Sequence, residues 1–419
     1  MPVSLSSPEL LAWLRLSTEP DLGYAQACML LREYGLPDAI YQASSGQLAK
    51  WLPVPLASRM AGAPTDAQQA LLETTLAWLN HPHHHLLTLA DPTYPRPLMD
   101  LHDPPLVLYV NGSLDALKLP GLAMVGARSA TPGGIDTAKA FAGYLAERGW
   151  CIVSGLAEGI DTAAHTGALE TRAGMTIAVM ATGLDLVFPA RNRALAHRIA
   201  ERGTLVSEFP LGTRALPFHF PRRNRLVAAL ARGVLVVEAA LKSGSLITAR
   251  LGAELGREVF AIPGSIHSPV ARGCHALIRQ GAKLVESGQD IHDELQQPGL
   301  SPAPVYPLQN HRPDIASVRP PKQAHPRSID TGTADAQPAR ALTTAALAET
   351  HPTDETPPAD LPEEHPVLTA LGFDPVDFDT LAERTGLEPA ELHAALLTLE
   401  LGNQVVRHDD GRFARRSGL

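Results

Sequence analysis

Between residues 119 and 295, short apolar runs rich in β-branched residues alternate with segments of helical periodicity. The strand candidates are residues 121–125, 150–153, 176–180, 203–206, 234–237 and 258–262. Continuous apolar strands joined by helical crossovers are typical of a parallel sheet with helices on both faces. The alternation therefore predicts an α/β domain of the doubly wound type with a mostly parallel sheet.

The segments that flank this pattern differ from it and from each other. Residues 4–80 carry apolar positions at helical spacing, which predicts a helical module with helix-hairpin-helix character. Residues 298–364 are rich in Pro, Ala, Thr and Asp without sustained periodicity, which is typical of a disordered linker. From residue 365, one helix, a helix-turn-helix pair and a hairpin form the pattern of a winged helix. We therefore divide the chain into residues 1–85, 86–297, 298–364 and 365–416.

Charge is distributed unevenly along the chain. The formal net charge is −9, yet residues 209–284 contain eleven Lys and Arg against three Glu and no Asp, a local excess of +8. A basic segment with interleaved aromatic residues is typical of a protein that binds a phosphate backbone. The winged helix shows the opposite pattern, because Glu388, Glu391 and Glu400 lie in or beside its last helix. We therefore expect the winged helix to contact protein rather than DNA.

The first turn of the α/β pattern, Val-Gly-Ala-Arg-Ser at residues 125–129, follows a strand and precedes a helix. A glycine at residue 126 lets the backbone approach a ligand, and the free amides of the next helix favour an anion. Arg128 supplies a forked cation that suits phosphate. The candidate phosphate-binding residues of this turn are Gly126, Ala127, Arg128 and Ser129. The turn has neither the G-x-G-x-x-G spacing of dinucleotide folds nor the ending of a P-loop.

The second turn, residues 154–161, places Gly155 and Gly159 at the carboxyl ends of strands, where such sheets bind ligands. Asp161 and His165 follow, four residues apart on the same side of a helix. This pair has the residue types of acid–base chemistry, and it equally suits a helix cap with a buried hydrogen bond. Because no nucleophile or metal-ligand cluster accompanies the pair, the structural interpretation is favoured. A third turn, residues 182–185, leads to Phe188.

The centre of the basic segment is Phe-Pro-Arg-Arg-Asn-Arg at residues 220–225. Phe220 can stack on an exposed base, Arg222, Arg223 and Arg225 can neutralise phosphates, and Asn224 can bind a phosphate or fix a turn. A second anion-receptive helix start follows close behind. Its candidate residues are Lys242, Ser243, Gly244, Ser245 and Thr248.

Compartment and cofactors are constrained by what the sequence lacks. The first 16 residues show no signal peptide, and no apolar stretch is long enough to span a bilayer. The three cysteines are far apart and match neither a disulfide framework nor a zinc motif. We therefore expect a cytoplasmic protein with no membrane contact, no cofactor and no metal.

Eight motifs occur in a fixed order along the central region. They lie at residues 91–98, 103–109, 125–128, 154–161, 220–225, 237–248, 261–264 and 281–283. They include Ser-Gly-Leu-Ala-Glu-Gly-Ile-Asp at 154–161 and Val-Glu-Ala-Ala-Leu-Lys-Ser-Gly-Ser-Leu-Ile-Thr at 237–248. In these motifs the chain resembles the DNA-processing protein A family (DprA, also called Smf), closely over residues 91–290 and more loosely at both ends.

The resemblance implies an extended Rossmann-like domain that binds single-stranded DNA, a SAM or helix-hairpin-helix-like module before it, and a winged helix after it. It also implies a recombination mediator, not an enzyme, which protects incoming DNA in natural transformation and loads a RecA-type recombinase. The family forms homodimers through the Rossmann-like domain. The family's Gly-Ser-Arg element falls on residues 126–128, and its Phe-x-x-Arg-Asn element falls on Phe220, Arg223 and Asn224.

The chain departs from the family pattern at a few positions. Ala127 replaces a Ser, Glu158 stands where Arg is common, Gly133 replaces a frequent Tyr, and His275 replaces a frequent Asn. The departures leave the main cations and the aromatic residue of the basic block in place.

The alternative function is an enzyme of the phosphoribohydrolase type on a related fold, in which Asp161, His165 or Glu238 supplies acid–base chemistry. Such enzymes carry a Pro-Gly-Gly-x-Gly-Thr run followed by Glu, and residues 237–245 read differently.

Overall fold

The structure, a computed structural model, describes residues 5–296, 365–372, 375–402, 404–408 and 410–415. The central strands in these ranges are β1 (His84–Thr88), β2 (Val107–Gly112), β3 (Gly121–Val125), β4 (Cys151–Ser154), β5 (Thr176–Val179), β6 (Thr204–Ser207), β7 (Ala231–Val236), β8 (Glu258–Ala261) and β9 (Lys283–Leu284). They form one sheet in the order β1-β2-β6-β5-β4-β3-β7-β8-β9. Strand β2 is antiparallel to both β1 and β6, and all other neighbours are parallel. The predicted doubly wound, mostly parallel α/β sheet is confirmed.

Helices cover both faces of this sheet. The crossover helices are α7 (Pro132–Glu147), α8 (Ile160–Glu170), α9 (Arg193–Arg202), α10 (His219–Ala229), α11 (Ser245–Glu254) and α12 (Arg272–Arg279), and α13 (Gly288–Gln296) follows β9. Alternate residues of β3 point to opposite faces: Leu122 and Met124 pack among α7 and α8, whereas Ala123 and Val125 pack among α10, α11 and α12. This burial on both faces explains why the strand reads as a continuous apolar run.

From residue 5 onward, the part before the sheet forms six helices: α1 (Ser7–Thr18), α2 (Tyr24–Tyr34), α3 (Pro37–Gln42), α4 (Ser45–Leu48), α5 (Val54–Met60) and α6 (Asp66–Leu79). The start of α1 is fixed by Glu9, whose carboxylate accepts the backbone N–H of Ser6 at 2.8 Å. The apolar side chains of these helices, such as Trp13 and Leu30, share one buried cluster with Tyr109 and Met180 of the sheet domain. The helical module is therefore packed onto the sheet domain through a continuous core.

The described C-terminal elements are α14 (Pro366–Leu371), α15 (Phe378–Thr385), α16 (Pro389–Leu401), β10 (Val405–Arg407) and β11 (Phe413–Arg415). The Asp377 side chain caps α15 by accepting the N–H of Thr380 at 2.8 Å, and Gly386 ends that helix in the left-handed region. β10 and β11 pair antiparallel. The predicted winged-helix pattern is confirmed, whereas the predicted linker, residues 298–364, lies outside the described residues.

The alternation of residues 119–295 predicts β3 to β8 but not β9, which is two residues long. β1 and β2 lie before residue 119, outside the range of that pattern, and have no predicted counterpart. Among the helices in the described ranges, none is long and apolar enough to cross a membrane. A search of the same ranges finds no group of three or more His, Cys, Asp and Glu side chains placed to hold a metal ion.

Candidate nucleic-acid site

The candidate residues lie on loops and helix starts at the carboxyl edge of the sheet. From β3 the chain winds through β4 and β5 to β6 on one side, and it then returns to β7, β8 and β9 on the other side. This reversal makes the carboxyl ends of β3 and β7 a topological switch point, where open α/β sheets bind ligands. Helix α10 also begins at this edge, because it follows the loop that leaves β6.

The centre of the site is a contact between the first turn and the basic block. The guanidinium carbon of Arg128 lies 5.6 Å from the centre of the Phe220 ring, within the range of a cation–π interaction. Arg128 and its neighbour Ser129 are exposed, and Phe220 is half-buried. The structure thus places a solvent-facing cation beside an accessible aromatic ring, which can bind a phosphate and an adjacent unpaired base.

Two glycines hold the Arg128 turn in position by close packing. A side chain at Gly126 would lie 2.5 Å from Ile160, so this glycine provides room for α8 and not for a ligand, which corrects our interpretation of it. Gly159 has a φ of 77° and packs against the backbone of residues 127 and 128. Ala127 is buried, and its N–H donates to the Glu238 carbonyl oxygen at 2.8 Å. The turn is therefore held by the start of α8 and by Glu238, which follows β7.

Arg223 is buried, which corrects its interpretation as a direct phosphate ligand. It is 4% exposed, and its Nη1 donates to the carbonyl oxygens of Gly155 and Val179. Gly155 has no side chain, which leaves the space that the guanidinium fills. Asp161 completes the cluster, because its carboxylate accepts the N–H of Gly155 at 3.0 Å. Burial lowers the pKa of Arg223 to about 10, so the side chain is still charged at neutral pH and ties α10 to the ends of β4 and β5.

Arg225 is buried as well, and Arg222 is only partly available. Arg225 donates to the Glu208 carboxylate at 2.5 Å and to the Asp103 carbonyl oxygen at 2.8 Å. Arg222 is exposed but shares Glu208 at 3.1 Å. Asn224 accepts a hydrogen bond from Arg223 Nε at 3.2 Å. Direct DNA contact by Arg225 is therefore not compatible with its position, whereas Arg222 can reach solvent.

The turn before α11 also contains both exposed and buried candidate residues. Lys242 and Gly244 are exposed and Ser243 is half-buried, whereas Ser245 and Thr248 are 8% and 1% exposed. The N–H of Ser245 donates to Ser243 Oγ at 3.3 Å. Lys242, Ser243 and Gly244 thus remain candidates for anion contact, and the assignment of Ser245 and Thr248 to direct contact is corrected because their side chains lie inside the fold.

The basic segment is not one continuous surface. Besides the two buried arginines of α10, Arg232 and Arg257 line a cleft with Gly121, at the amino ends of β3 and β7 and thus at the opposite edge of the sheet. At the carboxyl edge, Glu158 lies 3.8 Å from Arg191 and offsets part of its charge. The local excess of +8 therefore overstates the charge that a ligand at the carboxyl edge would meet.

Asp161 and His165 do not pair with each other. His165 is buried, and its Nδ1 lies 2.7 Å from the hydroxyl of Thr176, which donates its own hydrogen to the Ile152 carbonyl. Nδ1 is therefore the donor in this contact. Burial lowers the pKa of His165 to about 3, so the ring is neutral at physiological pH. The buried hydrogen bond of the structural interpretation agrees with these contacts. The predicted cap is wrong, because Gly159 is the N-cap residue of α8 and the Asp161 carboxylate accepts N–H groups of Gly155 and Ala157 in the preceding loop.

A carboxylate occupies the crevice at the switch point. Glu238 accepts the backbone N–H of Thr131 at 2.9 Å and its hydroxyl at 2.5 Å, at the start of α7. The cavity that remains, lined also by Gly134 and Gly264, measures about 120 Å³. A helix start is the usual place for a phosphate in such folds, and here the Glu238 carboxyl group lies against Thr131, the N-cap residue of α7.

Phe188 lies in this site, although the sequence analysis gave it no functional role. Its ring is exposed and lies 5.6 Å from the Phe220 ring, centre to centre. The signal was available, because Phe188 follows the third glycine-containing turn of the same series, after β5.

Comparison with known proteins identifies relatives for most of the described chain. The family model described as DNA recombination-mediator protein A matches residues 85–296, and the DprA winged helix domain model matches residues 351–411. Protein Smf of Escherichia coli is 48% identical over 226 residues, which are 54% of this chain and 60% of that protein. The chain thus spans less than two thirds of this relative.

A second relative matches more completely. DNA processing protein DprA of Streptococcus pneumoniae is 47% identical over 209 residues, which are 50% of this chain and 73% of that protein. The solved structure of DprA from Streptococcus pneumoniae matches with a TM-score of 0.60 and 37% identity, and the match covers 70% of this chain and 99% of that one.

Proposed function

The chain belongs to the DNA-processing protein A (DprA/Smf) family, and from this we propose that it binds single-stranded DNA at the carboxyl edge of its sheet. The observation that carries the proposal is the contact between Arg128 and Phe220. A phosphate bound by the guanidinium and a base stacked on the ring are neighbouring groups of one nucleotide strand. Stacking on Phe220 requires an unpaired base, because the faces of paired bases are covered in a duplex.

Solvent-accessible polar groups at the same edge of the sheet extend the proposed site. Ser129 follows Arg128 directly, and Lys242, Ser243 and Gly244 lie on the turn after β7. Arg222 adds a cation whose charge is shared with Glu208. Because these contacts are to phosphate, we expect binding that tolerates sequence and weakens with salt.

We propose that this binding serves recombination and not catalysis. The family description, a DNA recombination mediator, supports a role in recombination. We further propose that the protein protects incoming single strands and loads a RecA-type recombinase during natural transformation, in the cytoplasm. A homodimer formed through the Rossmann-like domain is part of the same proposal. Adding the protein to single strands covered by a single-strand-binding protein should shorten the lag of a RecA-type ATPase, and no change in that lag would contradict the loading role.

The alternative, an enzyme that releases a base from a nucleotide, has less support in the geometry. Glu238 accepts two hydrogen bonds at the start of α7 and is directed at the place where a nucleotide phosphate would bind. His165 is neutral and buried, so it does not exchange protons with a ligand. Release of free base from nucleoside monophosphates by the purified protein would favour this alternative.

The test of DNA binding is a salt series on short labelled single strands and on duplexes of the same sequence. Arg128→Ala should weaken single-strand binding and reduce the salt slope by about 0.7 for each phosphate that the variant no longer neutralises. Phe220→Ala should weaken binding by about 1–3 kcal/mol without changing the slope. Arg232→Ala is the matched control, since it removes an exposed arginine of the same basic segment at the opposite edge of the sheet. Equal affinity for duplex, or no loss in either site variant, would refute the proposed site.

A further inference from the structure

Phe188 is a large aromatic side chain that the fold holds in solvent. It is 48% exposed, although a ring of this size is usually buried. Its ring lies beside the Phe220 ring at 5.6 Å, and Phe220 in turn lies beside Arg128 at 5.6 Å. The three side chains therefore form a cluster in which Phe220 neighbours both the Arg128 cation and the Phe188 ring.

The loop that carries Phe188 is anchored on both sides. Before it, the Asp185 carboxylate accepts the N–H of Gly212, with both oxygens at 2.9 Å, and the Thr182 hydroxyl donates to a backbone carbonyl of the same loop at 2.8 Å. After it, Asn192 Nδ2 donates to the Leu156 carbonyl oxygen and to a threonine hydroxyl, both at 2.9 Å. An exposed ring on an anchored loop loses little conformational entropy when a ligand binds, which favours contact with a flat partner.

Resting on the proposed function, we propose that Phe188 is a second stacking platform for the base next to the one on Phe220. The planes of the two rings are inclined by 59°. A base inserted between two rings needs roughly 7 Å, twice the ~3.5 Å contact distance of aromatic atoms, so neither the spacing nor the tilt admits one. The two rings therefore bind separate bases.

This arrangement also selects the conformation of the strand. Two successive bases that lie on rings inclined by 59° are no longer parallel, so the strand must bend and unstack between them. A duplex keeps its bases parallel and paired, and it cannot meet this geometry without melting. The ligand that fits is an unstacked single strand, and the contact with Phe188 is to the face of the base, with no preference set by hydrogen bonds.

The test compares Phe188→Ala with Phe218→Ala on single strands with bases and on strands of equal length made of abasic units. Phe218 is the matched control because it is more exposed, at 66%, and packs edge-on against His219 at 4.5 Å instead of against Phe188 or Phe220. We expect Phe188→Ala to weaken binding to the base-containing strand by about 5-fold to 100-fold, Phe188→Trp to preserve binding, and Phe218→Ala to change it by less than about 2-fold. The salt slope should not change, since no charge is removed.

The abasic strand separates stacking from an effect on the fold. If Phe188 stacks on a base, Phe188→Ala and the wild-type protein bind the abasic strand equally. An equal loss on both strands, or no loss on the base-containing strand, overturns the inference. If Arg128→Ala and Phe220→Ala weaken binding while Phe188→Ala does not, only this inference fails. If the wild-type protein does not bind single strands, the proposed function fails and the inference fails with it.

Discussion

Replacing Arg223 should destabilise the sheet domain without removing a phosphate contact. In Arg223→Met the chain keeps a side chain of similar length but loses the donor to the carbonyl oxygens of Gly155 and Val179. It also loses the positive charge beside Asp161, which is 7% exposed. Removing one partner of a buried charge pair costs about 3–5 kcal/mol, because the other charge is left buried without compensation. A loss of this size is a large fraction of the stability of a typical domain.

The loss should depend on pH in a direction that identifies its cause. Burial raises the pKa of Asp161, and the Arg223 charge opposes that rise. Without Arg223 the pKa of Asp161 in the folded state rises further. A group with a raised folded-state pKa stabilises the fold below its unfolded-state pKa, and this contribution is lost as pH rises through the folded-state pKa. The destabilisation by Arg223→Met should therefore be largest near neutral pH and smaller at mildly acidic pH.

Urea denaturation followed by circular dichroism measures the stability, and a single-strand binding assay at low temperature measures the affinity of the folded variant. We expect a lower denaturation midpoint and an affinity within about 3-fold of the wild-type protein, whereas Arg128→Ala should show the reverse pattern. A variant as stable as the wild-type protein that binds DNA poorly would refute the reasoning and return Arg223 to the set of phosphate ligands.

Two further predictions concern helix α8 and the glycine that precedes it. The pKa of His165 is lowered to about 3 in the folded state, whereas the unfolded state takes up a proton near the ordinary pKa of about 6.5, so wild-type stability should fall as pH drops below that value. His165→Asn keeps a donor near Thr176 and should flatten this fall in urea titrations from neutral to acidic pH. An unchanged dependence of stability on pH would contradict the prediction. Gly159→Ala places a side chain at a φ of 77° against the backbone of residues 127 and 128. We expect a loss of about 1–3 kcal/mol in stability together with weaker single-strand binding. Normal binding would show that the Arg128 turn is not held by this packing.

The sequence predicts the sheet well where strands are buried on both faces. β3 to β8 follow from continuous apolar runs, because neither face of a central parallel strand meets water. β1 does not follow, since it lies at the edge of the sheet and begins with two histidines, and β2 does not follow because it precedes the alternating pattern, although its residues 107–110 are apolar. The residues of the site are harder to predict, because the residue type alone does not show whether a side chain is buried.

The basic block shows which part of the site was predictable. Arg223 lies three, four and seven residues before Leu226, Val227 and Leu230, and so falls on the apolar stripe of α10. Helical periodicity therefore contained the signal that Arg223 faces the core. Its partners could not be predicted in this way, because they are backbone carbonyls at the ends of two other strands, brought together only by the tertiary fold.

The claim that Arg128 and Phe220 form one site for an unpaired nucleotide is tested most directly by a double-mutant cycle between them. Affinities for one short single strand are measured for the wild-type protein, Arg128→Ala, Phe220→Ala and the double variant at one salt concentration. Because the two side chains lie 5.6 Å apart and serve neighbouring groups of the same strand, we predict that the double variant loses less than the sum of the single losses, with a coupling of at least about 0.5 kcal/mol. Losses that add would show that the two residues act at independent places and would contradict the account.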